Sequence, residues 1–571
     1  MKTLVRFIFM YELCYIVNCY ETNVINNNIE ISSTLLLSNS ISSFLLYNLT
    51  GLPGQGYYMT VYIGTPSQKI QLLVDTGSSN LAIAGRNLTN IDNWFKFNES
   101  STLKCNNHLS QFVRYLKGYW SGIYCQDQID FTNKHDTDFN YFSIINNVIH
   151  DKLTISFGLI INSTKIFLQH TGSTWYGING LAFPLLYIKP KSIKLFNKSI
   201  INKFIDWKIK SINQLFFNNN QLTYLDTLNS IWKIHKQFGL LLCGTTMFNN
   251  SELNLRKMSG KLIIGQTDLN LFWPSSSLSH FKPSIVYYTP IRKAWYYEII
   301  LADLLIDEQS LVDNCKELNV DKTIIDSGTT NIHLPLPIFQ QLILIIIINY
   351  VKKNSFINEI AYKHSFWTNQ NAYCLNTTND NDETIKRFYE SFPLIEFQLV
   401  SSVNSSNQIL SLLFSSQQYM RYLGRIRRNH QSKDCFAFAI QPTHKYTILG
   451  SVFLEAYYTI FDQENMRIGF ANSPCNSYTN NPSISNSKVN GLKYWNETFK
   501  SIKKQYQKNA YFVQTHIHKP LSPLDCAVYR LTRTEQLSYF RELYLMIICL
   551  SSLIYLFLIP LLILLKIKYI D

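Results

Sequence analysis

Leu72-Leu73-Val74-Asp75-Thr76-Gly77-Ser78-Ser79 and Thr323-Ile324-Ile325-Asp326-Ser327-Gly328-Thr329-Thr330 are two copies of one local design. In each, an apolar strand delivers an Asp onto a turn that contains Gly and continues in small hydroxyl residues. The copies lie 251 positions apart (326 minus 75), too far for a tandem motif and suited to two matching lobes. A second element also repeats. Trp175-Tyr176-Gly177-Ile178-Asn179-Gly180-Leu181 reaches its second Gly 105 residues after Asp75 (180 minus 75), and Tyr446-Thr447-Ile448-Leu449-Gly450-Ser451 reaches its Gly 124 residues after Asp326 (450 minus 326). Each is expected to be an apolar strand ending where another backbone approaches closely, which Gly permits. A lone Asp-Ser/Thr-Gly is an ordinary turn. Two copies with the same flanks and the same downstream partner form an internal repeat. Two carboxylates brought together share one proton, because like charges about 3 Å apart do not both ionise. Such a pair activates a water and protonates a leaving amine, so peptide hydrolysis is the chemistry this repeat suggests.

Composition bounds the rest. A chain of 571 residues holds two large domains plus extra segments, and 36 Tyr with 36 Phe supply an ample core. The formal net charge of +14 does not imply nucleic acid as a partner. Its Lys and Arg are scattered, with no Arg-rich helix or zinc-spaced cysteines. Residues 1–19 read as a secretory signal, with Lys2 and Arg6 before the apolar stretch Phe7 to Val17 and cleavage near Cys19. Leu543 to Leu565 gives 23 residues without charge, enough to cross about 30 Å of hydrocarbon; Pro560 is tolerated in such a helix. Together these predict a single-pass type I membrane protein with a lumenal or extracellular catalytic part and a short cytoplasmic tail at 566–571. Eight cysteines lie outside the signal and the membrane span: Cys105, Cys125, Cys243, Cys315, Cys374, Cys435, Cys475 and Cys526. An even number in a lumenal domain implies disulfides, with connectivity left open by the sequence. No metal-ligand spacing occurs, and neither metal nor cofactor is expected. Nine N-x-S/T sequons, at Asn48, Asn87, Asn98, Asn162, Asn197, Asn249, Asn376, Asn404 and Asn496, suit a glycosylated surface.

Along the chain, short strands and turn signals dominate, so the fold is expected to be mostly β. Tyr58 to Ile63 alternates, turns at Gly64-Thr65-Pro66-Ser67, and returns through Ile70 to Val74 as a hairpin leading into the first Asp. Residues 20–52 read as a short pro-segment. Residues 53–240 form the N-terminal lobe, and 241–535 the C-terminal lobe with its membrane-proximal segment. Leu342 to Ile348 is too short to span a membrane and reads as a core helix. Arg425-Ile426-Arg427-Arg428 reads as a basic surface loop.

These residues resemble a pepsin-type aspartic protease. Gly54-Gln55-Gly56-Tyr57-Tyr58, Leu242-Cys243-Gly244, Tyr288-Thr289-Pro290-Ile291-Arg292, Trp295-Tyr296-Tyr297-Glu298, Gln417-Gln418-Tyr419 and the two Asp segments narrow the resemblance to the membrane-anchored β-secretase (memapsin) branch. It covers roughly residues 53 to 530. The resemblance implies a bilobal β fold with a central cleft, acting as a monomer on polypeptide substrates at acidic pH. It makes Asp75 and Asp326 catalytic. Thr76 and Ser327 would brace the opposite lobe, Ser78 and Thr329 would bond the carboxylates, and Gly77 and Gly328 would complete the loops. Val113-Arg114-Tyr115-Leu116-Lys117-Gly118-Tyr119-Trp120 resembles the flap hairpin, with Tyr115 over the substrate and Trp120 bonding its hydroxyl. Thr330, Asn331 and His333 fall at substrate-contacting positions. The family's disulfides carry over as Cys243–Cys475, Cys315–Cys526 and Cys374–Cys435. Cys105 and Cys125 are additional. Each sits ten residues from Tyr115 (115 minus 105; 125 minus 115), and they are expected to pair across the base of the flap. Other readings are a broader cathepsin D-like digestive or lysosomal protease and a catalytically silent peptide-binding relative.

The chain departs from the branch at three points. Asn179 fills an apolar slot, where a buried amide needs partners, and a local hydrogen bond is expected. His333 stands where β-secretases usually carry Arg. It is smaller and charges only toward acidic pH, so preference for acidic or amide side chains is expected to be weaker and pH-dependent. No Lys or Arg occurs between Arg6 and Lys69, so neither a pro-segment Lys on the dyad nor a basic maturation site is available.

Overall fold

Gly56–Ile63 (GYYMTVYI) is buried at every position, and the strand after it, Gln68–Asp75, alternates before its last four residues are buried throughout. Apolar runs of this length, bounded by Gly and Pro turns, form interior strands, and the computed structural model is built largely from them. It describes residues 44–52, 54, 56–85, 93–115, 118–131, 139–142, 152–164, 176–192, 222–243, 260–267, 286–377, 382–401, 408–428, 431–473, 510–514 and 526. The signal region, the span 543–565, the tail, Cys475, and the sequons at Asn87, Asn197, Asn249, Asn404 and Asn496 lie outside the described residues. Among the described residues no helix is long and apolar enough to cross a membrane.

The strands that position the site are β1 (Phe44–Leu52), β2 (Gly56–Ile63), β3 (Gln68–Asp75), β4 (Leu81–Ala84), β5 (Lys104–Tyr115), β6 (Gly118–Asp130) and β7 (Gly177–Gly180), then β8 (Thr323–Ile325), β9 (Ile332–Pro335), β10 (Met420–Arg428), β11 (Gln431–Phe438) and β12 (Thr447–Leu449). Helix α1 (Leu336–Ile346) follows β9, and α2 (Ser451–Leu454) follows β12. β2 and β3 form the expected hairpin, registered from Tyr58↔Leu73 to Ile63↔Gln68. Each Asp strand has a parallel partner from its own downstream repeat. Val74 lies opposite Asn179 and Asp75 opposite Gly180; Ile324 lies opposite Ile448 and Ile325 opposite Leu449.

β1 falls within the stretch read in sequence as a removable segment. It pairs with β2 through Thr50↔Tyr58 and with the strand Gly260–Ile264 through Leu45↔Ile264. Leu45, Tyr47 and Leu49 are buried. Among the described residues, Phe44–Leu52 therefore joins strands from the two halves of the chain in one 15-stranded sheet, and a cut at residue 52 would remove a central strand. The boundary drawn at residue 240 similarly falls inside the strand Gln237–Leu242.

The Ile-rich run is a helix. α1 buries Ile338, Phe339, Leu342 and Ile346 and continues as a wider turn through Val351, while Leu344 and Ile348 stay exposed. The basic segment 425–428 is not a loop. It is the end of β10, hydrogen-bonded to β11 with Arg425 opposite Asp434. Asp434 is fully buried and takes Arg425 Nε at 3.0 Å and Nη2 at 3.1 Å. A fork-shaped cation on a buried carboxylate favours the extended hairpin over a solvated loop.

Three disulfides have both partners among the described residues: Cys105–Cys125, Cys315–Cys526 and Cys374–Cys435. Each matches the sequence expectation. Cys243 is also disulfide-bonded, but Cys475 lies outside the described residues.

Candidate active site

Asp75 ends β3, and Asp326 follows β8 directly. The backbone fixes both ends: Leu181 N donates to Asp75 O at 2.8 Å, and Asp326 N donates to Leu449 O at 3.1 Å. The loop geometry then repeats. Gly77 N donates to Asp75 Oδ1 and Gly328 N to Asp326 Oδ1, each at 2.9 Å. Ser78 Oγ donates to Asp75 Oδ2, and Thr329 Oγ1 donates to Asp326 Oδ2 at 2.6 Å. Donors held in fixed directions orient a carboxylate and satisfy the lone pairs that burial would otherwise leave empty.

The two loops also brace each other. Thr76 N donates to Ser327 Oγ at 3.0 Å, and Ser327 N to Thr76 Oγ1 at 2.9 Å. The hydroxyls pass the bonds on: Thr76 Oγ1 to Ile325 O at 3.0 Å and Ser327 Oγ to Val74 O at 2.7 Å. Small residues with one donor and two lone pairs are needed to bond in both directions here.

The glycines set how close the carboxyls come. A Cβ on Gly77 would overlap the Asp326 carboxyl, and one on Gly328 would overlap Asp75 Oδ1. Each carboxyl thus lies across the other loop's glycine, and the pair is within hydrogen-bonding reach. Gly180 and Gly450 do the same for the backbone. A Cβ on Gly180 would sit 2.6 Å from Ser79 N, and one on Gly450 would meet Thr329 O at 2.5 Å.

The surroundings of the two acids differ. Asp75 is buried and Asp326 half-buried. Burial first, and the neighbouring Asp326 charge second, push the Asp75 carboxyl well above the ordinary carboxylate range, against the bonds from Ser78 and Gly77. Over this side lies the β5–β6 hairpin. Trp120, fully buried, donates Nε1–H to Tyr115 OH at 3.2 Å, and the Ser78 hydroxyl reaches the same phenol. Burial, then the Asp75 charge, raises the Tyr115 phenol. The bridge Cys105–Cys125 joins directly opposed residues of this hairpin, below a bulge between Asn106 and Ser110.

The acids open into a cavity of about 540 Å³. Its lining includes Gly77, Ser78, Tyr115, Gly328, Thr329, Thr330 and His333. His333 sits on β9, is buried, and is registered against Gln441 and Ile448. Asn331 is not among the lining residues; its Oδ1 accepts from Arg421 Nη1 at 3.1 Å. Asn179 was expected to bond locally, but the partner it finds, on one side only, lies 120 positions away. Its Nδ2 donates to Met59 Sδ at 3.1 Å, a weak acceptor, and its buried Oδ1 has no partner among the described residues. Sequence reasoning passed over Tyr187, Tyr296 and Lys322, which also line the cavity. Lys322 holds its amino group 4.3 Å from the Tyr296 ring centre. A signal was present, since Lys322 immediately precedes the second Asp strand and Tyr296 lies in a quoted motif.

Comparison with known proteins agrees with this geometry. The profile of the eukaryotic aspartyl protease family matches residues 56–200 and 251–473. A beta-secretase of Strongylocentrotus purpuratus is 31% identical over 437 residues, covering 75% of this chain and 68% of the relative. Aspartic protease 6 of Caenorhabditis elegans is 29% identical over 172 residues, 29% of this chain and 41% of its own length. Vacuolar protease A of Aspergillus fumigatus is 36% identical over 78 residues, 13% of this chain and 19% of its own.

Proposed function

This chain belongs to the eukaryotic aspartyl protease family, and from that premise we propose that it is a membrane-anchored, beta-secretase-like endopeptidase acting at acidic pH. Its substrates are lumenal polypeptides or the ectodomains of membrane proteins. The observation that carries the reading is the pair of carboxyls lying across each other's glycine at the floor of the cavity.

The burial difference is our basis for starting roles. Asp75, the more buried acid, keeps the shared proton; Asp326, more open to solvent, is the base. Asp326 takes a proton from a water whose oxygen bonds the peptide carbonyl carbon, while Asp75 gives its proton to the carbonyl oxygen. In collapse of the tetrahedral gem-diol, Asp326 gives its proton to the nitrogen, the C–N bond breaks, and a gem-diol hydroxyl gives its proton to Asp75 as the carbonyl re-forms, so the pair again holds one proton. Because the acids are coupled, their apparent pKa values belong to the pair. Tyr115, held by Trp120, closes the site against water.

We read the two halves of the chain as the lobes of a bilobal monomer with the cavity as its cleft. The signal at 1–19 and the span at 543–565 give a type I protein with its catalytic part in the secretory or endosomal lumen. Exposed sequons at Asn98, Asn162 and Asn376 suit that compartment. His333 in the cavity wall supplies a subsite charge only on acidification, which makes side-chain preference there pH-dependent.

The test is cleavage of a peptide library by the detergent-solubilised full chain across the acidic to neutral range, beside Asp326→Asn. Acid-optimum cleavage is expected, falling by at least about a thousandfold in the variant. Undiminished cleavage by Asp326→Asn, or none by the disulfide-intact chain, would overturn the reading.

A further inference from the structure

The Asp326 loop is held from behind by the short helix α2. Ser451 N donates to Thr329 O at 2.7 Å, and Val452 N donates to Thr330 O at 3.1 Å. All four residues of α2 are buried, so the helix transmits displacement as a unit. At its other end stands Glu455, whose N–H donates to Ser451 O at 2.9 Å. The Glu455 side chain reaches the opposite half of the molecule, where Oε1 accepts from Tyr57 OH of β2 at 2.6 Å.

A second link runs in parallel. Arg421 of β10 donates to Asn331 Oδ1 at 3.1 Å, at the end of the same loop. Its guanidinium lies against the turn between β1 and β2, where a Cβ on Gly54 would sit 2.7 Å from Cζ. Among the described residues, the titratable or charged groups facing Glu455 are Tyr57 on β2 and Arg421 on β10.

We propose that Glu455 is a positioning residue for the Asp326 loop, its side chain tying the far end of α2 to β2 through Tyr57. The inference deepens the protease reading and rests on it for its catalytic consequence. Burial makes this tie respond to pH. Burial pushes the Glu455 carboxyl up from 4.5 to about 7, and the Tyr57 bond and the Arg421 charge offset this only in part. Burial also lowers the Arg421 guanidinium. A carboxyl raised in the folded state stabilises it fully below the unfolded value, here 4.5, and loses that contribution as pH rises through about 7. The cost of the lost proton falls on the group that ties α2 to β2.

The first measurement is unfolding temperature against pH in the full chain, with Asp75→Asn and Asp326→Asn combined to silence the dyad. Adding Glu455→Gln keeps an acceptor for Tyr57 and removes the titration. The fall in unfolding temperature between about pH 5 and about pH 8 is expected to shrink by at least about half. In the active chain, Glu455→Gln is expected to retain at least about a third of kcat at acidic pH and to carry activity to higher pH. Glu455→Ala is expected to lower kcat about tenfold with KM changed less than about twofold, since it breaks the link without touching substrate. Superimposable unfolding profiles, or Glu455→Ala with wild-type kcat, would overturn the proposal. If the parent chain cleaves nothing, the protease reading fails while the unfolding comparison still decides the role of Glu455.

Discussion

The two Asp loops make nearly the same hydrogen bonds and sit in different environments. Around Asp75 the loop is buried, roofed by Tyr115 and Trp120, and backed by a strand that places Asn179 beside Val74. Around Asp326 the loop is more open and is backed by Leu449, α2 and Arg421. An internal sequence repeat therefore duplicates the chemistry of the turn and leaves the environment of each copy free to differ. Burial and the neighbouring Asp326 charge raise the Asp75 carboxyl, so the surroundings of that loop, and not the turn it shares with its copy, set its proton affinity.

The glycines are the point at which the loops are most alike, and substituting them is the largest test of that likeness. Gly77→Ala and Gly328→Ala each push a Cβ into the opposite carboxyl. Each is expected to lower kcat/KM by about a hundredfold or more, with overpacking costing about 1–3 kcal/mol of stability. Activity retained in one alone would show that the dyad is not clamped from both sides.

The hydroxyl donors come next. Ser78 serves both Asp75 and Tyr115, whereas Thr329 serves Asp326. Steady-state kinetics should therefore show Ser78→Ala losing about tenfold in kcat and Thr329→Val less. Equal losses would remove the flap from the comparison.

Proton linkage tests the burial of the Asp75 loop. The Asp75 carboxyl is raised in the folded state, so its contribution to stability is fully present below the unfolded value near 3.8 and is lost as pH rises through the folded value. Unfolding temperature should fall from acidic toward neutral pH, and Asp75→Asn should flatten the fall. A parallel, unflattened profile would place the extra proton elsewhere.

The smallest effect concerns the strands behind the loops. Asn179 Oδ1 is a buried acceptor with no partner among the described residues. Asn179→Leu is expected to raise stability by about 1–2 kcal/mol in denaturant unfolding, while the mirror change Leu449→Asn lowers it by about 2 kcal/mol or more. A destabilised Asn179→Leu would mean that the amide holds Met59 in a way apolar packing does not replace.

Much of the site was legible in sequence because each part is local. The Asp turns and their downstream glycines are set by residues within one strand and its turn, where side-chain order dictates geometry, and the Tyr115–Trp120 pair was implied by the family resemblance. Cys105 and Cys125 were readable together because a hairpin centred on Tyr115 makes them cross-strand neighbours. The basic segment 425–428 was misread because its polarity looked like a loop, while the partner that makes it a strand, Asp434, lies beyond the turn. For a related reason, the pairing of Phe44–Leu52 was invisible in sequence. Its role comes from Gly260–Ile264, more than two hundred positions away, and strand pairing at that separation leaves no local pattern.

By itself, the sequence determined the family, the two acids and the loop residues that hold them, because motif chemistry depends on order over a few positions. Only the tertiary structure decided which acid is the more buried, that Arg421 and Glu455 reach the Asp326 loop, and that Tyr296 and Lys322 wall the cavity. Those properties arise from desolvation and from contacts between distant segments, and both exist only once the chain has packed.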